Sequence, residues 1–288
     1  MDFRDKLRQG KFVITCEIGP PKGVDVDRYL KQADDVKDRV DAINVTDLQS
    51  SVMRLGSLAF SGLLVQRGIE PIFQITCRDR NRLALQSDLL SAYVLGVRNI
   101  LVLTGDHPSL GDHPDAKPVY DLDAVSLLKT AKDLEGGKDM SGKTLKGSPS
   151  FCLGAAVNPG AEPLEPEIIK MKKKIAVGAQ YFQTQAIFDV EQFRRFKEKI
   201  GDIDVPILAG IVVLKSEKTA HFMNEKVPGV TVPQQIIKEI ALAGDKSLKS
   251  IEIAARLTAE IKDLADGIHI MPIGANDKVP LLLERIGL

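Results

Sequence analysis

Two carboxyl residues lie at the ends of short apolar runs whose composition is typical of buried β-strands. Glu17 lies near the end of Phe12–Ile18, and Asp106 follows Ile100–Leu103 after Gly105. Apolar neighbours would favour the neutral, proton-donating form of Glu17, which makes it a candidate general acid. Asp106 stands in a Gly-Asp-x-Pro turn, which presents a carboxylate at the edge of a sheet. The alternatives are a Glu paired with a nearby Arg or Lys, and ordinary turn chemistry for Asp106.

Amides and lysines form two further candidate groups. Gln183 and Gln185 are two residues apart in a β-type run, so their side chains point to the same face of a strand. Buried amides need hydrogen-bond partners, which a heteroaromatic ligand would supply; bonding within the protein is the alternative, favoured for Gln183. Lys170, Lys173 and Lys174 share one side of a helical run and could meet a phosphate, although lysine runs are usually solvated.

Short β-type runs alternate with longer amphipathic runs along the whole chain. The predicted strands are Phe12–Ile18, Ala42–Thr46, Ile72–Cys77, Ile100–Leu103, Ser150–Val157, Tyr181–Ile187, Ile207–Val213 and Ile268–Ile273. The predicted helices between them include Asp79–Leu95, Leu122–Leu134, Pro166–Val177, Asp189–Ile200 and Ser247–Leu264. This alternation predicts an α/β protein, a single-domain parallel (β/α)8 TIM barrel over residues 1–288. A doubly wound open sheet is the alternative, but no GxGxxG sequence follows the first strand.

A barrel of this kind gathers catalytic groups at the carboxyl ends of its strands. We therefore expect the strand-end residues to converge on one rim, and we expect Asp106–Pro118 to be an active-site loop. His269 is interpreted as a core or rim residue. The other histidines are interpreted as surface residues: His107, His113 and His221.

The composition restricts the classes of partner and compartment. Lys and Arg number 39 and Asp and Glu also number 39, so the charge gives no argument for nucleic acid or an anionic membrane. The charged start lacks the apolar stretch of a signal peptide, and no apolar run approaches a bilayer span, so we expect a cytoplasmic protein. Cys16, Cys77 and Cys152 are far apart on predicted strands and are expected to be reduced, buried thiols. No Cys or His spacing predicts a metal site.

The order of these pieces resembles the methylenetetrahydrofolate reductase family from Phe12 to about Ile273. The matching pieces are Glu17-Ile18-Gly19-Pro20-Pro21, Asn44-Val45-Thr46, Gln74-Ile75-Thr76-Cys77, Leu103-Thr104-Gly105-Asp106, Val157-Asn158-Pro159, the helix Lys170 to Gly178, and Thr184-Gln185-x-x-Phe188-Asp189. The resemblance implies a flavin-dependent (β/α)8 barrel, with FAD or FMN. Its implied reaction is the reduction of 5,10-methylenetetrahydrofolate to 5-methyltetrahydrofolate, in one-carbon metabolism and methionine biosynthesis.

The same resemblance implies roles for particular residues. Glu17 takes the place of the general acid, and Asp106 lies beside both the flavin and the pterin as a catalytic and substrate-binding residue. Gln185 and Thr219 match residues that bind the folate. The residues that match flavin contacts are Thr46, Gln74, Thr104, Gly105, Asp106, Asn158, Glu167, Lys170, Lys173 and Lys174. The lysines would neutralise the phosphate of the cofactor.

Three positions depart from the family pattern. Met223, with Phe222 adjacent, stands where nicotinamide-using members place a Phe that stacks on the nicotinamide. Ala275 replaces an Arg that helps to hold the folate tail, and Asp47 replaces a Tyr. These changes predict electrons from an iron–sulfur or zinc-containing partner subunit, with NAD(P)H as the alternative donor. The oligomeric state is left open between a hetero-oligomer with such a partner subunit and a homo-oligomer.

Two other functions remain as alternatives. One is another TIM-barrel enzyme, such as an aldolase or a pterin-binding methyltransferase, although an aldolase needs an interior lysine and only Lys215 comes close to a predicted strand end. The other is a catalytically silent subunit that binds folate or docks a redox partner. The presence of Glu17, Asp106 and Gln185 argues against it.

Overall fold

The computed structural model describes residues 1–287, in which eight parallel strands close into a barrel in chain order. The strands are β1 Val13–Ile18, β2 Ala42–Val45, β3 Pro71–Thr76, β4 Asn99–Leu103, β5 Cys152–Val157, β6 Tyr181–Ala186, β7 Ile207–Val212 and β8 Gly267–Met271. The α-helices of this range are α1 Phe3–Arg8, α2 Asp27–Asp34, α3 Ser57–Gln66, α4 Arg82–Val94, α5 Ala124–Glu135, α6 Glu165–Ala176, α7 Val190–Ile200, α8 Glu217–Lys226, α9 Gln234–Leu242, α10 Lys246–Ile261 and α11 Val279–Arg285. The predicted (β/α)8 barrel is confirmed.

Apolar side chains fill the barrel interior at the amino-terminal end of the strands. The side chains that form this floor are Phe3, Leu7, Val13, Ala42, Ile72, Leu101, Cys152, Tyr181 and Leu208. They combine the buried face of α1 with the first inward-facing residue of most strands. Tyr181 fits because its neighbour Gly154 has no side chain: a Cβ there would lie 2.1 Å from the tyrosine ring. The polar residues nearer the carboxyl ends lie above this packed floor.

Strand alternation corrects one expectation about Glu17. Ile14 and Ile18 belong to the larger hydrophobic cluster between the barrel and its helices, and Phe12 packs against that cluster. Successive side chains of a strand point to opposite faces, so Glu17 shares the barrel interior with Thr15 instead. The expectation that apolar neighbours in its own run desolvate Glu17 is wrong, because they lie on the other face of the sheet.

The three cysteines are buried and free. Burial raises the pKa of each thiol to about 12. These thiols therefore stay protonated near neutral pH, as expected for structural residues rather than nucleophiles. No helix within residues 1–287 is long and apolar enough to cross a membrane.

Candidate functional site

A layer of hydrogen-bonded polar side chains lies in the barrel above the apolar floor. It consists of the second inward-facing residues of β1, β2, β3 and β8, which are Thr15, Asn44, Gln74 and His269. His269 Nδ1 lies 3.0 Å from Thr15 Oγ1 and 3.2 Å from Asn44 Nδ2. Gln74 Nε2 donates to Asn44 Oδ1 at 3.4 Å. The histidine interpreted as a core or rim residue is therefore central to a polar network.

Glu17 is the next inward-facing residue on β1 and is 8% exposed. Its Oε1 accepts a hydrogen bond from Gln49 Nε2 at 2.9 Å, and its Oε2 lies 3.6 Å from His269 Nε2. Gln49 belongs to a short 3-10 helix, Gln49–Ser51, that follows β2. Each oxygen of this largely enclosed carboxyl group therefore has a polar side chain beside it.

Asp106 has a different environment at the end of β4, because its side chain is exposed. Its backbone is held: the Asp106 carbonyl oxygen accepts from Ser51 Oγ at 2.9 Å and from Arg78 Nη1 at 3.2 Å. Gly105 before it has φ of +90°, and a Cβ there would lie 3.1 Å from the Cβ atoms of both Arg78 and Thr76. Gly105 is therefore required by conformation and by space, which explains how the chain delivers the Asp106 carboxylate.

Arg78 joins the loops that follow β2 and β4. Although 2% exposed, its guanidinium donates to the Leu48 carbonyl at 3.2 Å and to Asp79 Oδ2 at 2.7 Å, in addition to Ser51 and Asp106. Leu48 and Ser51 have positive φ, a conformation that non-glycine residues adopt only when neighbours hold it. Sequence reasoning missed this residue, for which the only signal was an Arg-Asp pair directly after a strand.

Asp47 is fully engaged within the protein. Its carboxylate accepts from the Thr76 backbone N–H at 2.9 Å, from Ser57 Oγ at 3.1 Å and from Arg80 Nη1 at 2.7 Å. The residue is 3% exposed. Asp47, which replaces the family's Tyr, therefore links the ends of β2 and β3 through its hydrogen bonds instead of facing a ligand.

The loop of residues 106–118 lies against two other loops at the carboxyl end of the barrel. Asp112 forms an ion pair with Lys22 from the loop after β1, and its Oδ1 accepts from the Met53 N–H at 3.0 Å. Its hydrogen bonds, chiefly those from Lys22 and His113, hold the pKa of Asp112 well below its ordinary value. The loop therefore lies at the carboxyl rim, where the sequence predicts an active-site loop.

Two buried side chains at the same end have polar atoms without partners. Thr46 Oγ1, directly after β2, and both amide atoms of Gln183 on β6 make no hydrogen bond within the described residues. The two residues are 1% and 3% exposed. The interpretation that Gln183 bonds within the protein is wrong, because neither polar atom of its amide has a hydrogen-bond partner within residues 1–287. The unsatisfied Gln183 amide, two residues from the exposed Gln185 on the same strand face, fits a ligand with hydrogen-bonding edges, as a flavin or pterin has.

The lysines of α6 do not share one environment. Lys174 is partly buried and donates to the Ala156 carbonyl at the end of β5, at 2.6 Å. Burial lowers its pKa from the ordinary lysine value. Lys170 and Lys173 are exposed, and neither forms an ion pair in the part of the chain described. All three remain candidates for an anionic ligand, with Lys174 the closest to the barrel.

Asn158 and Glu167 connect the end of β5 to α6. The Asn158 backbone N–H donates to Glu167 Oε1 at 3.1 Å. The Asn158 side chain accepts from the Gly160 N–H at 3.1 Å and donates to the Pro228 carbonyl at 3.0 Å. Both predicted residues therefore lie at the carboxyl rim, where they order the loop after β5.

The other predicted or divergent residues lie after β4, in α8 and after β8. Thr104 is exposed after β4, and Thr219 is partly exposed in the first turn of α8. Met223 is 5% exposed and packs in the core, whereas the neighbouring Phe222 is 59% exposed. Ala275, after β8, is 7% exposed. The position expected to stack on a nicotinamide thus faces the hydrophobic core.

The described part of the chain lacks suitable residues for a metal site and for a Schiff base inside the barrel. Within residues 1–287, no group of three or more His, Cys, Asp and Glu side chains could hold a metal ion. The strands β1 to β8 contain no lysine, and Lys215 beyond β7 is exposed. An aldolase that uses an interior Schiff-base lysine is therefore disfavoured.

Comparisons with known proteins agree with this geometry. The family described as "Methylenetetrahydrofolate reductase" matches residues 2–287. The 5,10-methylenetetrahydrofolate reductase of Pectobacterium carotovorum subsp. carotovorum is 29% identical over 229 residues, covering 76% of this chain and 72% of that protein. The enzyme of that name from Escherichia coli (strain K12) is 25% identical over 230 residues, with the same 76% and 72% coverage. An uncharacterized Clostridium thermocellum protein that binds two copies of 5-methyl-5,6,7,8-tetrahydrofolic acid has the same fold, with a TM-score of 0.70, 17% identity, and coverage of 98% and 97%.

Proposed function

Because the chain belongs to the methylenetetrahydrofolate reductase family, we propose that it reduces 5,10-methylenetetrahydrofolate to 5-methyltetrahydrofolate with electrons from a bound flavin. The observation that carries this proposal is the contrast between two carboxyl groups at one rim of the barrel. Glu17 is enclosed and 8% exposed, whereas Asp106 is exposed. Such a contrast suits one proton donor and one ionised group that faces a cation.

Glu17 acts as the general acid. The substrate carries a methylene group bridged between N5 and N10 of the folate, and a proton from Glu17 to N10 allows the bond from the methylene carbon to N10 to break. The electron pair of that bond stays on N10, and the carbon becomes an N5 iminium cation. When bound, a reduced flavin supplies the hydride that converts this cation to the methyl group.

Asp106 and Gln185 bind the reacting end of the folate. The exposed Asp106 carboxylate lies where a cationic substrate would be stabilised electrostatically, and Arg78 and Ser51 fix the backbone that carries it. Gln185, exposed at the end of β6, offers its amide to the pterin edge, and Thr219 is assigned to the folate as well. A structural relative binds 5-methyl-5,6,7,8-tetrahydrofolic acid, the product proposed here, which supports a reduced folate as ligand.

The flavin would be held by residues from four adjacent strand ends and α6. The unpartnered Thr46 Oγ1 supports a polar ring system at these strand ends, and the Gln183 amide on β6, across the barrel, supports a polar ligand in the interior. Lys174 would provide positive charge for a phosphate of FAD or FMN. The full proposed set is Thr46, Gln74, Thr104, Gly105, Asp106, Asn158, Glu167, Lys170, Lys173 and Lys174.

We propose a partner protein as the electron donor. Met223 is buried, Asp47 is bound to Arg80, and Ala275 carries no charge, so three family contacts on the donor and folate-tail side are absent. The test is turnover of NADH by the purified, flavin-loaded chain alone. We expect none above background, and robust NADH turnover would refute the partner.

The variant Glu17→Gln tests the proposed reaction. It keeps size and hydrogen bonding but cannot donate a proton, so flavin binding should survive while folate reduction falls by about 10²–10⁴-fold or more. The matched control is Glu198→Gln in the last turn of α7, at the opposite end of the barrel, which should keep full activity. Flavin is followed by its visible spectrum, and reduction by single turnover of the dithionite-reduced protein.

The outcomes separate the proposed function from its alternatives. A protein that cannot be reconstituted with flavin would count against a reductase and favour a silent folate-binding subunit or a pterin-binding methyltransferase. A flavin-loaded Glu17→Gln protein with near-normal reduction would refute the role of Glu17.

A further inference from the structure

His269 connects the polar layer of the barrel to the Glu17 carboxyl. Its Nδ1 faces Thr15 Oγ1 at 3.0 Å and Asn44 Nδ2 at 3.2 Å, and its Nε2 faces Glu17 Oε2 at 3.6 Å. The residue is 3% exposed. Both ring nitrogens therefore have protein neighbours on opposite sides of the imidazole.

The neighbours of Nδ1 determine which ring nitrogen carries the proton. Gln74 Nε2 donates to Asn44 Oδ1 at 3.4 Å, which turns the Asn44 amino group toward His269. An amino group only donates, so Nδ1 must accept, and the proton of a neutral imidazole then lies on Nε2. That N–H group is directed at the Glu17 carboxyl.

We propose that His269 is a positioning residue for Glu17. Its Nε2–H group faces one carboxyl oxygen from 3.6 Å, a contact that is longer than a hydrogen bond and would shorten when the substrate binds, while Gln49 Nε2 donates to the other oxygen at 2.9 Å. Among residues 1–287, His269 is the only basic side chain within 4.0 Å of the Glu17 carboxyl oxygens. Of the other charged groups on neighbouring strand ends, Asp47 is paired with Arg80 and Asp106 is exposed.

The consequence for catalysis concerns the carboxylate that remains after proton donation. A second N–H group beside that of Gln49 would stabilise the negative charge that appears on the enclosed Glu17 carboxyl as its proton leaves, and it would fix the direction of the transfer. Loss of this donor should slow folate reduction by about 10–100-fold, the effect of losing one hydrogen bond to a charged group. This inference rests on the proposed role of Glu17 as general acid.

A first test reads the tautomer and does not depend on activity. The chain has only four histidines, so the signal missing from His269→Gln assigns His269 in ¹⁵N-labelled, flavin-loaded protein. We expect the spectra of the neutral ring to show its proton on Nε2. A proton on Nδ1 would overturn the proposal.

A second test compares two substitutions in single-turnover folate reduction across pH. His269→Leu removes the donor, so we expect the rate to fall by about 10–100-fold. The alkaline limb of the pH profile, where the acid loses its proton, should move to higher pH because the carboxylate is less stable. His269→Gln places an amide N–H group in the same region and should keep the rate within about fivefold of the parent.

The two proposals fail in distinguishable ways. Near-normal activity of Glu17→Gln would refute the general acid itself. If Glu17→Gln is inactive but His269→Leu keeps both its rate and its pH profile, the positioning role alone is refuted. If His269→Leu fails to fold, the tautomer measurement and the His269→Gln variant still test the positioning role. A fall in the rate of folate reduction in His269→Gln as large as that in Glu17→Gln would contradict the proposal.

Discussion

Gly105 offers a quantitative test of how the end of β4 presents Asp106. In Gly105→Ala the new Cβ would lie 3.1 Å from two Cβ atoms, those of Thr76 and Arg78, where ordinary carbon contacts are about 3.5–4.0 Å. Neither atom is the end of a flexible side chain. Crowding of this kind costs about 1–3 kcal/mol, and φ of +90° adds about 1–2 kcal/mol for a residue with a Cβ.

This total destabilisation of about 2–5 kcal/mol converts to a fall in the melting temperature, Tm. An unfolding entropy near 2.1 cal/mol/K per residue gives about 0.6 kcal/mol/K for 288 residues, so we expect Tm to fall by roughly 3–8 °C. Differential scanning calorimetry of the flavin-loaded protein measures it. The KM for the folate should rise as well, since Asp106 follows directly in the chain.

Gly142→Ala is the matched control. Gly142 has φ of +82° but nothing within 4 Å of the added Cβ, so only the conformational cost applies. The gain from a stiffer unfolded chain is common to both variants and cancels in the comparison. Gly142→Ala should lower Tm by only about 2–3 °C and leave KM unchanged. Equal Tm losses in the two variants would refute the argument from crowding.

Two further predictions concern the mouth of the barrel. Gln183→Leu should raise the unfolding free energy of the ligand-free protein by about 1–2 kcal/mol, because it removes unsatisfied buried atoms, yet it should weaken flavin or folate binding about tenfold. Gln74→Leu breaks a hydrogen bond to Asn44 and should instead lower the unfolding free energy. Calorimetry with and without ligand measures both effects. Asp112→Asn should speed proteolysis within residues 106–118 throughout the range from pH 5 to pH 8, because it removes the ion pair with Lys22. A carboxyl whose pKa is lowered in the folded protein stabilises the fold at pH values above its ordinary pKa of 3.8. That stabilisation is lost only as the pH falls through the folded-state pKa. A difference that disappears between pH 7 and pH 5 would contradict the assignment to Asp112.

The barrel was predictable because each strand can be identified from the apolar pattern of its own residues. All eight strands lie within two residues of their predicted bounds, since apolar β-type runs end at Gly, Pro or polar residues. Helices such as α8 were not predicted, because its sequence EKTAHFMNEK is mostly polar and buries only Ala220 and Met223. Packing against the barrel, and not local preference, stabilises such a helix.

The site was predictable as a set of strand ends but not as a set of partners. Period-two alternation places Thr15, Asn44, Gln74 and His269 on inward faces, so their shared layer could have been derived by aligning the strands from their first inward residue. That His269 meets Glu17 across the β1–β8 seam depends on barrel closure, which joins residues 252 positions apart. Nor could the local pattern show that the Gln183 amide has no hydrogen-bond partner within residues 1–287. Local pattern therefore finds which residues face the ligand, whereas register decides which of them bond to each other and which remain for the ligand.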